Sequence, residues 1–113
     1  MANAKRIVVL GCGRVGAVLA EDLAREEAFQ VTVVDRDPAA LAALEQRARV
    51  ATEVADLADA ASVRRLISPA ELVVGAVPGF LGYQTLELVL EQGKQYADIA
   101  FMPEDYRPLQ ALA

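Results

Sequence analysis

The 113-residue sequence contains no histidine and a single cysteine, and each shortage excludes a class of chemistry. Without histidine the chain has no Ser-His-Asp or Cys-His catalytic group and no histidine metal ligand. One cysteine forms neither an internal disulfide nor a cysteine zinc site. We therefore expect no metal site, and we assign no catalytic residue.

The sequence also lacks a long apolar run and an excess of positive charge. No stretch approaches the length of a membrane span, although 55% of the residues are hydrophobic. The net charge of -5 opposes nucleic-acid binding, which relies on clustered lysine and arginine. The first residues lead directly into a strand-like run, without the pattern of a signal peptide. We expect a cytoplasmic protein with neither a membrane nor a nucleic-acid partner.

What the sequence does contain is a regular alternation of apolar runs and amphipathic segments. Continuous apolar runs are typical of parallel strands that are covered by helices on both faces. The predicted strands are 7–10, 30–35, 50–54, 72–77 and 96–100. The predicted helices are 14–25, 38–47, a third that is capped by Asp59 and ended by Ser68-Pro69, and 80–92.

This alternation, with short connections and right-handed crossovers, predicts the fold class. We expect an α/β protein with a Rossmann-type doubly wound parallel sheet, five strands in the order 3-2-1-4-5. Residues 1–113 form one dinucleotide-binding domain. The usual sixth strand is missing, so the fifth strand is an edge that invites pairing, and a homodimer remains open. We interpret the domain as the N-terminal part of a longer enzyme.

A G-x-G-x-x-G sequence occupies residues 11–16, directly after the first predicted strand. Gly11 permits a tight turn, Gly13 lets a pyrophosphate approach the main chain, and Gly16 lets the helix pack closely on the sheet. The N-terminus of the next helix offers unpaired N–H groups and a favourable dipole to phosphate. This context predicts a dinucleotide site.

Asp35 stands at the end of the second predicted strand, 19 residues after Gly16. A carboxylate at this distance hydrogen-bonds an adenosine ribose, so it favours NAD over NADP as the cofactor. Two alternatives remain: Asp35 is only a solvated strand end, or Arg36 beside it meets the 2′-phosphate of NADP, which arginine suits.

Three further expectations concern the loop and the fourth strand. The helix N-terminus beside Cys12 predicts a lowered pKa for this thiol, which would make it oxidisable without being catalytic. Gly75 interrupts the fourth strand, where a cofactor or a neighbouring main chain comes close. Val77 and Pro78 follow at the carboxyl end of that strand, where they either contact a ligand at the topological switch point or simply end the strand.

On the first helix, we expect Val15, Val18, Leu19 and Leu23 to form the buried face.

The most specific motifs lie on the fourth and fifth strands: L-V-V-G-A-V-P-G-F at 72–80 and E-Q-G-K-Q-Y-A-D at 91–98. With V-V-L-G-C-G-R-V-G at 8–16, V-D-R-D-P-A-A-L at 34–41 and D-L-A-D at 56–59, they resemble the N-terminal cofactor domain of the saccharopine dehydrogenase family. The likeness covers nearly the entire chain.

The resemblance implies a nicotinamide-dependent oxidoreductase that acts on secondary amines joining an amino acid or polyamine to a keto acid or aldehyde. Hydride would pass between the nicotinamide and an imine carbon. It also implies a position near the adenine for Asp56, although an acidic turn residue next to Asp59 is nearly as good an interpretation. A substrate and dimerisation domain follows in the family, so we expect this chain alone to bind a cofactor and turn nothing over.

The predicted cofactor-binding residues share the loop or a strand end at one edge of the sheet. They are Gly11, Gly13, Arg14, Val15, Gly16, Asp35, Arg36, Asp56, Val77 and Pro78.

A second function remains open: a regulatory nucleotide-binding module like those that gate potassium transport. Such modules share G-C-G-R-V-G and an acidic second strand end, sense NAD or ATP, and catalyse nothing. They usually carry a polar, acidic loop after the fourth strand, where this chain has V-P-G-F-L at 77–81. That difference, together with G-K-Q-Y-A-D, favours the enzyme.

Overall fold

The computed structural model describes residues 4–77 and 79–98, so Pro78 and residues 99–100 of the predicted fifth strand lie outside the described residues. The strands are β1 (Lys5–Leu10), β2 (Phe29–Asp35), β3 (Ala51–Val54), β4 (Leu72–Gly75) and β5 (Gln95–Asp98). The helices are α1 (Arg14–Ala24), α2 (Pro38–Glu45), α3 (Ala60–Ile67) and α4 (Gly79–Glu91). Strand and helix alternate as predicted.

All five strands are parallel and lie in the order β3-β2-β1-β4-β5, which confirms the predicted fold class. The central strand β1 is paired on both sides. Its last residue, Leu10, stands opposite Val34 of β2 and Gly75 of β4, so three strands end at the same level. The strand order reverses between β1 and β4, which makes this edge the topological switch point where ligands bind in such sheets.

Two layers of helices cover the sheet because the central strands β1, β2 and β4 are apolar on both faces. The face covered by α1 and α2 buries Ile7, Val9, Ala17, Ala20, Val31, Val33, Leu41, Leu44 and Val74. The face covered by α3 and α4 buries Val8, Leu10, Val34, Val63, Ile67, Val73, Leu88 and Val89. Alternate residues of each central strand therefore belong to opposite cores.

The predicted buried face of α1 is partly wrong. Val15 and Val18 are 60% and 58% exposed. The buried residues of this helix are small: Gly16, Ala17 and Ala20. These small residues let α1 approach the sheet closely, and Val15 and Val18 consequently face solvent. Leu19 and Leu23 pack at the margin of the core.

Helices α2 and α3 begin at side-chain caps, as their sequences predict. Asp37 accepts a hydrogen bond from the N–H of Ala39 at 3.0 Å, and Asp59 accepts one from Ala61 at 3.1 Å. Pro38 follows its cap at the first helical position, where its missing N–H is harmless. Within the part of the chain that the structure describes, no helix combines the length and apolar character needed to cross a membrane.

Candidate cofactor-binding site

The loop after β1 is wedged between the ends of β2 and β4. The N–H of Gly11 donates to the carbonyl of Val34 at 2.7 Å, and Gly11 has a φ of +109°. A Cβ at this position would overlap the carbonyl of Ala76, just beyond β4. A Cβ at Gly16 would overlap the carbonyl of Gly11 itself. Gly11 therefore permits the tight turn that was predicted for it, whereas Gly16 lets α1 pack closely against the loop itself.

Gly13 differs, because a Cβ there would meet no atom of the described residues within 4 Å. Its φ of -76° and ψ of -169° suit any residue, so the fold does not require glycine here. The exposed position leaves open space directly before α1. Glycine at this position is explained if a ligand comes so close to the main chain that a side chain would obstruct it, and a pyrophosphate is such a ligand.

Within residues 4–77 and 79–98, no side chain caps the N-terminus of α1. The bond from the N–H of Ala17 to the carbonyl of Gly13, at 2.8 Å, opens the helical ladder, so the N–H groups of residues 13–16 precede it. In contrast, Asp37 and Asp59 cap α2 and α3. Residues 13–16 thus combine donors that have no partner among the described residues with the positive end of a helix dipole. This arrangement suits an anion and includes Arg14 and Val15 of the predicted site.

Asp35, the last residue of β2, places its carboxylate beside this loop. One oxygen, Oδ2, accepts from the N–H of Cys12 at 2.6 Å, and the other, Oδ1, accepts from the N–H of Asp37 at 2.9 Å. A carboxylate offers about four lone-pair positions, so two remain for further donors. The carboxylate is half-buried, and it lies where the ribose hydroxyls of a dinucleotide are expected.

Arg14 and Arg36 flank the loop and the end of β2. Both are exposed, and neither takes part in an ion pair within the described part of the chain. Their guanidinium groups are therefore available to phosphate oxygens near the two elements that carry them.

The remaining predicted residues occupy different surroundings. Asp56 is exposed, and its carboxylate accepts from the N–H of Ala58 at 2.9 Å, as expected of a turn residue that precedes α3. The side chain of Val77 is 3% exposed and belongs to the core beneath α3 and α4, which leaves only its main chain for a cofactor. Strand β4 ends at Gly75, two residues before the predicted end. Pro78 lies outside the described residues.

The prediction for Cys12 is wrong. Burial, followed by the nearby carboxylate of Asp35, raises the pKa of the thiol above its usual 9.0. Cys12 is only 8% exposed, and its Sγ donates to the carbonyl of Ala40 at 3.7 Å. Loss of solvent and a like charge disfavour the thiolate more than the helix N-terminus favours it. The thiol is accordingly a poor nucleophile.

The sequence did not predict the contact between Asp35 and Cys12, or the part of Ala76 in shaping the loop. Neither has a local signal, because each joins residues from separate strands.

Within residues 4–77 and 79–98, no group of three or more His, Cys, Asp or Glu side chains could hold a metal ion. The arrangement offers main-chain donors that suit the phosphates of a ligand, and a carboxylate that suits hydroxyl groups on the same ligand.

Comparisons with known proteins agree with this interpretation. The family described as saccharopine dehydrogenase NADP binding domain matches residues 7–113. The fold is similar to apo histidine-tagged saccharopine dehydrogenase (L-Glu forming) from Saccharomyces cerevisiae, with a TM-score of 0.84 and 19% identity, over 94% of this chain and 24% of that one. It is also similar to the PbgP3 protein from Burkholderia pseudomallei, with a TM-score of 0.70 and 15% identity, over 85% of this chain and 35% of that one.

At these identities the two solved structures establish the fold, and this chain spans well under half of either. A search of curated protein sequences gave no significant match. The family match extends over the glycine loop, Asp35 and the motifs of β4 and β5. The chain therefore belongs to the saccharopine dehydrogenase NADP-binding domain family, an NAD(P)-binding Rossmann domain.

Proposed function

We propose that this chain is the cofactor domain of a saccharopine-dehydrogenase-like oxidoreductase that transfers hydride between a nicotinamide and the carbon of a C–N bond. The substrate is an imine or a secondary amine. The observation that carries the proposal is the uncapped N-terminus of α1 at Gly13, which opens at the switch point of the sheet beside Asp35. Family membership supports the nicotinamide cofactor.

Each element of the site has its own part in holding the dinucleotide. The N–H groups of residues 13–16 bind the pyrophosphate, and Gly13 leaves it room. The carboxylate of Asp35 accepts from ribose hydroxyls with its remaining lone pairs. The bound nicotinamide supplies the hydride chemistry. The groups that bind the substrate and move its proton belong, in this proposal, to a second domain outside these 113 residues, so this chain alone is inactive.

Binding by the purified 113-residue protein tests the proposal. Isothermal titration with NADH, NADPH and ATP should give saturable binding of a nicotinamide dinucleotide, with ATP weaker. Binding of ATP alone would replace the oxidoreductase by the regulatory nucleotide-binding module, whereas binding of NADH is expected of both and tests the cofactor only. No binding of any of the three would reject both.

Within this function we infer a preference for NAD. A 2′-phosphate would stand beside the negative charge of Asp35, which disfavours it, whereas two ribose hydroxyls are natural donors to a carboxylate. The family is described as NADP-binding, and the guanidinium of Arg36 forms no ion pair among the described residues. Both observations support the opposite choice.

Two variants separate these choices. If Asp35 selects NAD, wild type binds NADH more tightly than NADPH, and Asp35→Ala narrows the difference. If Arg36 binds a 2′-phosphate, Arg36→Gln lowers the affinity for NADPH and leaves the affinity for NADH unchanged. Equal affinities, or tighter NADPH binding by wild type, would overturn the NAD preference but not dinucleotide binding.

A further inference from the structure

We infer that Asp35 is also a positioning residue, which holds the glycine loop in its binding conformation through the N–H of Cys12 before any cofactor arrives. This inference rests on the proposed function of the loop. It adds to the ribose contact a second role, in which the carboxylate acts on the pyrophosphate half of the site through the main chain of the loop.

The main-chain hydrogen bonds of β1 stop just before Cys12. The last of them joins the N–H of Gly11 to the carbonyl of Val34 at 2.7 Å. The next outward amide is that of Cys12, where the side chain of Asp35 replaces the neighbouring strand as acceptor, at 2.6 Å. A bond to a charged acceptor is stronger than a neutral one, and an amide left unpaired in this part-buried position is unfavourable.

The carboxylate is itself held in place. Its second oxygen accepts from the N–H of Asp37, and the main-chain carbonyl of Asp35 accepts from the N–H of Ala55 at 3.0 Å, beyond the end of β3. Contacts on both oxygens fix the plane of the carboxylate, so Cys12 meets a rigid acceptor. Asp35 thereby ties the loop to the ends of β2 and β3.

The donors of the loop are divided between two acceptors. The N–H of Cys12 serves Asp35, whereas the N–H groups of residues 13–16 are left for the phosphates. Removing the carboxylate has two opposite effects on an anion. The loss of negative charge favours the anion by removing Coulomb repulsion, and the loss of loop order disfavours it. Because the signs differ, the affinity for an anion without a ribose distinguishes a positioning role from a ribose contact alone.

Inorganic pyrophosphate is the probe, since it has no ribose. We expect Asp35→Ala to raise its dissociation constant about tenfold, the effect of one charge-assisted hydrogen bond. Asp37→Asn is the matched control: it removes the same charge two residues away and keeps an oxygen that can cap α2. The control should bind pyrophosphate as well as wild type or better. Unchanged or tighter binding by Asp35→Ala would overturn the inference.

Amide hydrogen exchange tests the same contact without a ligand. In the free protein, the Cys12 amide should exchange about tenfold faster in Asp35→Ala than in wild type, with Asp37→Asn at the wild-type rate. Asp35→Asn keeps the size of the side chain but replaces one acceptor oxygen by a donor, so it should lose protection at Cys12 or at Asp37. Protection unchanged in both Asp35 variants would reject the positioning role. If wild type binds neither NADH nor pyrophosphate, the proposed function fails, and exchange at Cys12 decides the positioning role alone.

Discussion

The phenol of Tyr96 on β5 lies over Gly75 on β4. In the strand register Tyr96 stands opposite Val73 and Gly75 opposite Asp98, so the ring reaches diagonally across the pair. A Cβ at Gly75 would overlap the phenol oxygen and stand 2.6 Å from Cζ. The sequence predicted a cofactor or a neighbouring main chain close to Gly75, and this prediction is wrong, because the nearest atoms belong to the side chain of Tyr96. The contact joins the two motifs that most resemble the family, one on each strand.

This contact predicts the effect of filling the space at Gly75. Gly75→Ala should lower the free energy of unfolding by about 1–3 kcal/mol, because the ring must shift within a packed core. In a Tyr96→Ala background the same substitution should cost about 0.5 kcal/mol or less. Urea denaturation of the four proteins in a double-mutant cycle measures the difference. Strictly additive losses would show that the two positions are not coupled.

Gly13 should be required for binding and not for folding. Gly13→Val places a side chain in the space before α1, so the pyrophosphate loses its approach to the N–H groups. We expect the dissociation constant for the cofactor to rise at least about 100-fold, the loss of several phosphate hydrogen bonds. Circular dichroism should remain that of wild type.

Gly11→Ala is the contrasting variant, because its positive φ and the carbonyl of Ala76 oppose any side chain. It should lower the free energy of unfolding by about 1–3 kcal/mol.

The Gly13→Val prediction would be contradicted by a dissociation constant equal to that of wild type, because the pyrophosphate would then bind elsewhere.

The buried thiol of Cys12 should react slowly and should make stability depend on alkaline pH. The folded protein holds the thiol proton more tightly than the unfolded chain, because the pKa is raised above 9.0. The contribution to stability is complete below the unfolded pKa and is lost as pH rises through the folded one. Subtracting the pH profile of Cys12→Ala isolates this component. An iodoacetamide reaction as fast as that of an exposed thiol at pH 8 would contradict the buried, neutral state.

The caps of the two short helices should each contribute measurably to stability. Asp59→Ala removes the acceptor for the N–H of Ala61 and should cost about 1 kcal/mol, whereas Asp59→Asn keeps an acceptor and should cost less than about 0.5 kcal/mol. Thermal unfolding of the two variants compares these losses. Equal losses would mean that the charge of Asp59, rather than its capping oxygen, stabilises α3.

Sequence patterns predicted the sheet order because the buried strands are continuous apolar runs that alternate with helices. They also predicted the caps at Asp37 and Asp59, because capping depends only on neighbouring residues. Sequence patterns failed where packing between distant residues decides the structure. On α1 the large residues at Val15 and Val18 suggested a buried face, yet close approach to the sheet selected Gly16, Ala17 and Ala20.

The state of Cys12 was mispredicted for a similar reason. Its helix N-terminus is visible in the sequence, but its burial and the carboxylate of Asp35 appear only when β1 and β2 are paired. Contacts between strands decide both the loop geometry and the thiol pKa.

The central position of β1 also determines when the site can form during synthesis. Ile7 of β1 pairs with Leu72 of β4, and Gly11 packs against the carbonyl of Ala76. As the ribosome releases the chain, β1, β2 and β3 can pair early, but the loop lacks one wall until β4 emerges and docks. We therefore expect the nascent chain to form the sheet of β1, β2 and β3 first and to complete the loop later, so that a cofactor held by the loop would stabilise the domain only after β4 has joined it.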